Sequence, residues 1–333
     1  MQWDGVLVRF GEIGIKSAPV RRAMVKQLRR NLLDGLLREK VEGDVERIGP
    51  RLLLAGPDTA ALLRVATHTF GVVSASPVRI LGSDLDDLGA AAAELALERT
   101  WTTFAIRAKR DGKHAYSSQE ANIEIGKAVW RAAEAAGRDP QVDLSDPDLR
   151  IHLDIRGGKT YLYTDKHPGP GGLPAGSQGH VVLLASDPSS FVAAWLLMRR
   201  GSRVELLHAG HSGSLPLEGF EALAPWGLPQ WAHLLPVCSG TVAKAVLLEA
   251  AATIAQRRGA DAVATGDRLD SRLIPPGELD LAILRPCCGL DEATYQALAD
   301  RIGIEPFEPE AVLDDDATET TDSLLGMHRK VDL

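Results

Sequence analysis

The chain contains 333 residues, of which 45% are hydrophobic and 25% are charged, and its formal net charge is −8. Its length predicts two or three domains, and its apolar runs fall short of the roughly 18–20 residues that a membrane span needs. Three cysteines do not make a disulfide framework, and the first residues lack the basic and apolar segments of a secretory signal. We therefore expect a cytoplasmic protein that does not associate with a membrane.

The negative charge is concentrated in the second half of the chain. Residues 1–174 carry 25 Lys+Arg and 23 Asp+Glu, whereas residues 175–333 carry 12 and 22. Only the first half therefore suits a polyphosphate partner such as a nucleic acid. The acidic second half is equally well explained as a solvated surface.

The first part of the chain predicts a small α+β domain. Strand and helix patterns alternate here, and Gly49-Pro50 forms a turn between two of the strands. The predicted order is a strand at 5–10, a basic helix at 20–38, strands at 45–48 and 51–55, and a helix at 58–67. This order is typical of a ferredoxin-like fold.

A second α+β unit follows. It is predicted from an Ala- and Leu-rich helix, an alternating strand and a pair of strands joined at Gly157-Gly158. Its predicted elements are a strand at 73–78, a helix at 84–99, a strand at 103–108, a helix at 118–136, and strands at 151–155 and 160–163.

The third unit begins after the Gly/Pro-rich segment 169–179. Strands and helices then alternate in the way that predicts a parallel sheet with helices on both faces. The predicted segments are 180–185, 191–200, 203–208, 241–258, 261–265 and 291–302. Residues 313–333 are acidic and contain no aromatic residue, so we expect a solvated tail.

The turn after the first strand of this third unit is unusual. A buried strand, a tight turn and a helix are the parts of a phosphate-binding βα unit. Here the turn is Ser186-Asp187-Pro188-Ser189-Ser190, which contains no glycine. Glycines allow backbone N–H groups to close around a phosphate, and proline removes one of those donors. The sequence therefore predicts the strand, turn and helix of a nucleotide site, but not the glycine-rich turn that normally binds the phosphates.

Basic residues in the first half form two candidate RNA-binding surfaces. Arg107, Lys109, Arg110 and Lys113 lie at the end of a strand and the start of a loop, where strand geometry puts Arg107 and Lys109 on one face. His114 and Tyr116 add possible stacking groups. The basic helix adds a second surface, for which Lys16, Arg21 and Arg22 are the candidate contacts. Each of these cations can also be a solvated side chain with no partner.

Six segments together resemble the tRNA 4-thiouridine synthetase family. Its members are ATP-dependent tRNA sulfurtransferases with a THUMP domain. The six segments occur in the family's order over some 280 residues. They are 9–16 (RFGEIGIK), 68–72 (HTFGV), 103–110 (TFAIRAKR), 169–179 (GPGGLPAGSQG), 192–195 (VAAW) and 284–286 (LRP).

The resemblance implies a domain organisation and a set of ligands. It implies a ferredoxin-like domain at 1–60, a THUMP domain at 61–166, a linker at 167–179, and a Rossmann-like PP-loop domain of the adenine nucleotide α-hydrolase type at 180–312. It implies tRNA, through its acceptor region, and ATP with Mg as ligands. The positions that match the family's ATP contacts are Leu183, Leu184, His208, Lys244 and Gly266.

The sequence departs from the family at these ligand positions. The family's Ser-Gly-Gly-x-Asp-Ser loop falls on residues 185–190, where only the last serine matches. Lys244 occupies a position where the family usually has arginine. Lysine keeps the positive charge but lacks the planar guanidinium that can donate two parallel hydrogen bonds. The expected glutamine falls on Pro275 or is displaced.

The family's persulfide cysteine is also missing, because its region here is Leu313-Asp314-Asp315-Asp316. Of a Cys-x-x-Cys found in some relatives, only Cys238 is present. Cys287 and Cys288 are predicted to be buried and inert, with a redox or metal role as the alternative. A zinc site made of the three cysteines with His208 or His211 is conceivable, but no spacing supports it.

Two functional hypotheses follow. In the first, a THUMP-type protein binds tRNA and takes part in 4-thiouridine formation, and its PP-loop domain is a scaffold without catalytic residues. In the second, the chain is an active, divergent ATP-dependent tRNA sulfurtransferase that receives sulfur from a partner such as a sulfur carrier or a cysteine desulfurase. Pairing with an active paralogue, to which this chain would supply tRNA-binding surface in a mixed oligomer, is a separate third hypothesis, and a homodimer is also left open.

Overall fold

The computed structural model describes residues 3–210, 216–237, 240–269, 280–307, 312–314 and 316–332. The packing of the chain divides it into two compact units. Unit 1 comprises Met1–Phe10, Leu36–Thr67 and Val73–Gly169. Unit 2 comprises Gly11–Gly35, His68–Val72 and Pro170–Leu333. Within the described part of the chain, no helix is long and apolar enough to cross a bilayer.

The strands and helices are numbered in chain order. The strands are β1 (Gly5–Phe10), β2 (Asp44–Ile48), β3 (Arg51–Ala55), β4 (Val72–Leu81), β5 (Thr103–Asp111), β6 (Gln141–Val142), β7 (Leu149–Arg156), β8 (Lys159–Tyr163), β9 (His167–Pro168), β10 (Gln178–Ala185), β11 (Ser202–Gly210), β12 (Trp231–Pro236), β13 (Thr241–Val242), β14 (Ala262–Thr265), β15 (Ala282–Leu284), β16 (Val312–Leu313) and β17 (Arg329–Asp332). The α-helices are α1 (Ala18–Arg38), α2 (Thr59–Thr67), α3 (Leu85–Leu97), α4 (Ser118–Ala135), α5 (Pro188–Arg199), α6 (Leu217–Leu223), α7 (Lys244–Arg258), α8 (Glu292–Ile302) and α9 (Thr321–Met327).

Unit 1 is built on one sheet. The strand order is β2-β3-β1-β4-β8-β7-β5-β6, with β9 paired to β4. The strands of the predicted ferredoxin-like and second α+β segments therefore join a common sheet. Most pairs are antiparallel, but β5 runs parallel to β7 from Phe104↔Leu149 to Asp111↔Arg156. This pairing carries β5 three residues past its predicted end at 108.

The two faces of this sheet differ in chemistry. On one face α3 and α4 pack over alternate strand residues such as Phe104, Ile106 and Ile151. Helix α4 forms here because Ser117 and Glu120 make a capping box at its start. Its buried residues recur every four positions, which gives the helix one apolar stripe. They are Ala121, Ile125, Val129 and Ala133.

The opposite face carries a smaller apolar cluster, which the strands supply. Its buried members are Leu7, Leu53, Val78, Tyr161 and Tyr163. Charged residues of β1, β5 and β7 flank these side chains because strand positions alternate between the two faces.

Unit 2 contains the predicted parallel sheet. Its order is β15-β14-β10-β11-β12-β17, and every neighbouring pair is parallel except β12–β17. The central strand β10 is buried on both faces, because Val181 and Leu183 pack with α5 while Val182 and Leu184 pack with α7. Burial on both sides explains its continuous apolar sequence. The α/β architecture expected from the sequence is confirmed.

The predicted acidic tail is partly ordered. Helix α9 begins at Thr321 after the cap Thr320, and its Leu324 is fully buried with α7 residues. Strand β17 then pairs with β12, for example Leu234↔Arg329. The sequence indicated neither β12 nor β17. Their signal is weak because β12 ends in Pro236 and β17 is only four residues long.

Candidate functional site

The turn after β10 lies at the carboxyl ends of the parallel strands of unit 2. Ala185 ends β10 and is in register with His208 of β11, while Leu184 is in register with Thr265 of β14. In open α/β sheets, ligands bind at this edge. Helix α5 starts directly after the turn, so the first turn of the helix presents its N–H groups there.

Asp187 occupies the position where a helix N-terminus would receive an anion. It is the N-cap of α5, and its Oδ1 accepts hydrogen bonds from Ser190 N at 2.9 Å, Ser190 Oγ at 2.9 Å and Ser189 Oγ at 2.7 Å. Pro188 is the first helical residue and has no N–H to offer. The carboxylate thus satisfies donors that a phosphate would otherwise use. These residues do not fit the polyphosphate of a nucleotide.

Gly266 closes the same turn from the β14 side. A Cβ built on Gly266 would lie 2.4 Å from Ser190 N and 2.6 Å from Ser189 Oγ. Ser189 Oγ also lies 2.7 Å from the Gly266 carbonyl oxygen, so its single hydroxyl hydrogen is shared between that oxygen and Asp187 Oδ1. The backbone after β14 is therefore in direct contact with the start of α5, and the space between them is filled by protein atoms.

Lys244 is held by a buried carboxylate. Its ammonium, at the start of α7, forms a salt bridge with Asp267, which is 8% exposed. Asp267 Oδ2 also accepts a hydrogen bond from Thr265 Oγ1 at 2.9 Å and lies 3.3 Å from Arg285 Nε. Sequence reasoning missed this pairing, although Asp267 directly follows Gly266. The only available signal was an acidic residue at the end of a predicted strand.

The other predicted nucleotide contacts lie around the same edge. Leu183 and Leu184 are buried in β10, at 0% and 3% exposure. His208 is 2% exposed, and its Nδ1 donates to the Ala185 carbonyl at 2.8 Å. Together with Lys244 and Gly266, described above, these residues make up the five predicted nucleotide contacts. The structure places all five toward one end of the parallel sheet.

Cys287, beside this edge, is poorly suited to sulfur transfer. Cys287 is fully buried, and its Sγ lies 3.5 Å from the Ser189 carbonyl. Burial, followed by the nearby Asp187 carboxylate, raises the pKa of the Cys287 thiol to about 12. The thiolate is the nucleophile, so this thiol is inert near neutral pH. Cys288 is half-buried and its Sγ lies 3.2 Å from the Asp267 carbonyl.

Several residues singled out in the sequence cannot be placed. Cys238, His211, Pro275 and Asp315 lie outside the described residues. Asp314 and Asp316 are described and exposed. Among the described residues, no three His, Cys, Asp or Glu side chains converge on a common point that could hold a metal ion.

The basic helix α1 displays its cations on one side. Met24, Val25, Leu28 and Leu32 form its buried stripe, with 0–6% exposure. N-terminal to this stripe, Arg22 is exposed, while Arg21 and Lys16, which precedes the helix, are half-buried. Arg21 Nη1 donates to the Gly14 carbonyl at 3.4 Å. This surface belongs to unit 2.

The second predicted basic surface lies on β5 of unit 1. Arg107 and Lys109 are in register with His152 and Asp154 and share their face of the sheet, as the strand geometry predicts. Arg107 Nη2 donates to the Leu144 carbonyl, whereas Lys109 is exposed. Arg110 belongs to the strand and points to the helix-covered face, so it does not lie in a loop. Lys113 is exposed beyond the turn at Gly112.

Two domain profiles match the first half of the chain. The ThiI ferredoxin-like domain matches residues 5–76, and the THUMP domain matches residues 82–165. A probable tRNA sulfurtransferase of Aeropyrum pernix is 33% identical over 342 residues, covering 91% of this chain and 84% of that protein. The chain belongs to the tRNA sulfurtransferase family. The resemblance inferred from the six sequence segments is confirmed.

Other members of the tRNA sulfurtransferase family match over different lengths. The tRNA sulfurtransferase of Pyrobaculum aerophilum is 32% identical over 334 residues, covering 90% of this chain and 66% of that protein. A probable tRNA sulfurtransferase of Halobacterium salinarum is 40% identical over 203 residues. The chain covers only 52% of that relative.

Two solved structures share the fold of this family member. A 4-thiouridine synthetase–RNA complex with bound ATP matches with a TM-score of 0.79 and 21% identity, covering 99% of both chains. PH1313 from Pyrococcus horikoshii Ot3 matches with a TM-score of 0.75 and 23% identity, covering 90% of this chain and 99% of that one. At these identities the likeness shows the fold alone.

Proposed function

We propose that this protein binds tRNA and takes part in 4-thiouridine formation, with ATP-dependent catalysis impaired or lost. Its membership of the tRNA sulfurtransferase family supports the tRNA substrate. A neighbour in fold is described as an RNA complex with bound ATP, which supports the same ligands for this fold. The basic surfaces on α1 and β5 supply the cations that an RNA backbone requires.

The main support for the proposed loss of catalysis is Asp187, which caps helix α5. Its carboxylate already accepts three hydrogen bonds at the start of α5. A phosphate about 4 Å from this charge would be repelled by roughly 4 kcal/mol at an effective dielectric near 20. That repulsion corresponds to about a thousandfold loss of affinity. The pKa of the Cys287 thiol, which burial raises to about 12, points the same way.

The second candidate is an active, divergent ATP-dependent sulfurtransferase. It is favoured by the way His208, Lys244 and Gly266 surround the edge where β10, β11 and β14 end. Under this alternative, a cation such as Mg would have to screen Asp187 from the nucleotide. Sulfur would then come from a sulfur-carrying protein or a cysteine desulfurase.

The proposal extends to organisation and partners. Residues 1–60 would act as the ferredoxin-like domain, 61–166 as the THUMP domain, 167–179 as a linker and 180–312 as the PP-loop domain. The protein would work in the cytoplasm on the acceptor region of tRNA, as a homodimer or beside an active paralogue. The paralogue would supply the missing loop and the missing cysteine.

Calorimetry separates the two candidates. Titration of the full-length protein with ATP and magnesium should give no micromolar binding if the Asp187 cap closes the anion site. A parallel titration with tRNA should give tight binding that weakens steeply as salt rises. Micromolar ATP affinity would instead support the active enzyme, and absence of tRNA binding would contradict both candidates.

Deletion of the gene tests the role in the cell. Loss of 4-thiouridine from bulk tRNA would show that the chain is required. Complementation with an Asp187→Ala gene and with an Arg107→Ala/Lys109→Ala gene would then distinguish a requirement for the unit 2 site from a requirement for RNA binding.

A further inference from the structure

An uncompensated positive charge lies on the face of the unit 1 sheet opposite α3 and α4. Arg9 ends β1, Lys109 lies on β5, Arg150 and His152 lie on β7, and Lys166 follows β8. We call these five residues the sheet-face cluster. They come from four separate segments of the sequence, and only Lys109 is part of a basic run.

Arg9 is the most buried member of the sheet-face cluster. It is 9% exposed, its Nη1 donates to Ser76 Oγ at 3.0 Å, and its Cζ lies 4.4 Å from the centre of the Tyr163 ring. Its Nη2 is also buried but has no hydrogen-bond partner among the described residues. Because its guanidinium is shielded from solvent, Arg9 contributes positive charge beneath the surface of this face rather than a donor that a ligand can reach.

His152 lies at the centre of the sheet-face cluster. Its ring stacks on Tyr163, with centres 4.9 Å apart and planes inclined by 16°. Burial, together with Lys166, Arg9, Arg150 and Lys109, lowers the pKa of His152 to about 3. Four cations from four segments of the chain therefore act on one imidazole.

The other cations of the cluster repel one another in the same way. Burial, and then Arg9, Lys109 and Arg150, lower the pKa of Lys166. Arg150 Nη2 donates to the Ser145 carbonyl at 3.2 Å, but its buried Nε has no partner among the described residues. Folding thus concentrates like charges that an anion would neutralise.

The acidic residues nearby do not neutralise the cluster. Asp154, in register with Lys109, is 3% exposed and lies 2.5 Å from Arg156 Nε and 3.4 Å from Arg51 Nε. Asp165, next to Lys166, lies 2.6 Å from Arg99. Each carboxylate therefore has its own arginine, and the positive charge of the cluster persists.

The width of the cluster indicates what kind of anion it suits. In the strand order β1-β4-β8-β7-β5, Arg9 and Lys109 are separated by four strand spacings, or about 19 Å. A single phosphate cannot contact cations spread over this distance, whereas successive phosphates of a nucleic acid can. Lys109 also joins the cluster to the basic surface on β5.

We propose that the sheet-face cluster is a binding site for consecutive phosphates of the RNA backbone. This inference rests on the proposed tRNA binding and names a face of unit 1 for it. The exposed Lys109 and Lys166 and the half-buried Arg150 contact neighbouring phosphates, while the buried Arg9 adds positive charge beneath them. A bound phosphate also raises the pKa of His152, because its negative charge stabilises the imidazolium.

The first experiment measures anion binding without RNA. The pKa of His152 in the full-length protein is followed by NMR as inorganic phosphate is added. We expect it to rise from about 3 by one unit or more, and we expect Lys109→Ala/Lys166→Ala to reduce that rise. Both substituted side chains are exposed, so the variant should fold.

The second experiment measures tRNA binding at several salt concentrations. The Lys109→Ala/Lys166→Ala protein should bind about 10- to 100-fold more weakly than the wild type. It should also show a slope of log affinity against log salt that is smaller by about two, because two phosphate contacts are lost. Lys127→Ala is the control, since Lys127 is exposed on α4 and removes one cation from the other side of the sheet.

The outcomes separate this site from the proposed function. If the wild type binds tRNA but neither the affinity nor the salt slope changes in the double variant, the sheet-face cluster is not the RNA site and the proposed function stands. A phosphate-dependent rise of the His152 pKa without loss of tRNA affinity would assign the cluster to a small phosphate and overturn the RNA assignment. If only Lys127→Ala lowered the affinity for tRNA, the RNA contact would lie on the helix-covered side of the sheet and the proposed site would be wrong. If the wild type does not bind tRNA, the proposed function itself fails.

Discussion

Asp187 and Ser190 form reciprocal hydrogen bonds at the start of α5. Asp187 Oδ1 accepts from both the backbone N and the Oγ of Ser190, each at 2.9 Å, and Ser190 Oγ accepts from Asp187 N at 3.4 Å. This reciprocal arrangement is a capping box with aspartate in the first position. It stabilises the start of the helix by satisfying donors that would otherwise be open to a ligand.

Removing this cap should weaken the fold and open the anion site. We expect Asp187→Ala to lower the free energy of unfolding by about 1–2 kcal/mol, as for other lost N-caps. The same change should increase affinity for ATP, because the repelling carboxylate is gone. Urea denaturation and calorimetry measure the two effects.

A matched cap provides the control for Asp187. Asp291 caps α8 by accepting from Thr294 N at 2.8 Å. Asp291→Ala should cost a similar free energy and leave ATP affinity unchanged. Equal ATP affinity in the wild type and the Asp187→Ala protein would show that Asp187 does not close the site.

Gly266 should tolerate no side chain. In Gly266→Ala the new Cβ would meet Ser190 N at 2.4 Å, so the β14 end and the start of α5 must separate. We expect a loss of about 1–3 kcal/mol in the free energy of unfolding, which is typical of overpacking. Gly289→Ala is the control, because its Cβ would have nothing within 4 Å. Equal stability of the two variants would refute the tight contact.

Glu205 should stabilise unit 2 above acidic pH. Burial alone would raise its pKa, but hydrogen bonds from Arg258 and His233 lower the pKa of Glu205 to about 2. Because the folded pKa lies below the unfolded value near 4.5, this stabilisation is complete above pH 4.5 and is lost as the pH falls toward 2. Glu205→Gln should reduce the free energy of unfolding at pH 7 by about 2 kcal/mol.

The pH dependence distinguishes this role of Glu205 from simple packing. The loss in Glu205→Gln should shrink between pH 4.5 and pH 2, since the wild-type carboxylate becomes protonated there. Glu221→Gln, an exposed change on α6, should have little effect at any pH. A loss that stays constant down to pH 2 would contradict a charge-based role for Glu205.

His152 should also make stability depend on pH, through a base that is neutral in the folded state rather than an acid that is charged. Its folded pKa of about 3 lies below the ordinary value of 6.5, so the unfolded chain binds the proton first. The free energy of unfolding should therefore fall as the pH falls from 6.5 toward 3. His152→Gln should flatten this part of the profile and leave the slope above pH 7 unchanged. Identical profiles for the two proteins would disprove the shift.

Lys109 should contribute more than Arg107 to tRNA binding. Arg107 already donates to the Leu144 carbonyl, whereas Lys109 is exposed. We expect the double change to Ala to weaken tRNA binding by about 1–3 kcal/mol, mostly through Lys109. Filter binding of both single variants measures the division. Lys330→Ala in the acidic half should have no effect, and an equal loss there would indicate a nonspecific charge effect.

Local patterns predicted the helices of unit 1 well. Helix α4 was expected at 118–136 and occupies Ser118–Ala135, because its cap and its apolar spacing are encoded within its own sequence. Strand β5 runs on to Asp111 because β7 pairs with it there, and a tertiary partner is not visible in the sequence of one strand. The same limit hid β12 and β17.

The two candidate sites differ in how far the sequence reveals them. Asp187 stands out in the turn itself, so a carboxylate at the start of α5 was predictable. Its three hydrogen-bond partners and the approach of Gly266 required the fold. The sheet-face cluster was not predictable, because residues 9, 109, 150, 152 and 166 come together only through strand order.

Strand β17 has a consequence for how the protein behaves in concentrated solution. A parallel sheet that stopped at β12 would leave the backbone N–H and C=O groups of Trp231–Pro236 open to recruitment by other chains. β17 occupies that border and in turn presents Arg329 and Lys330, both exposed, to the outside. Like charges on facing copies repel, so we expect β17, whose two cations outnumber its single Asp332, to disfavour edge-to-edge pairing of the sheet with another copy.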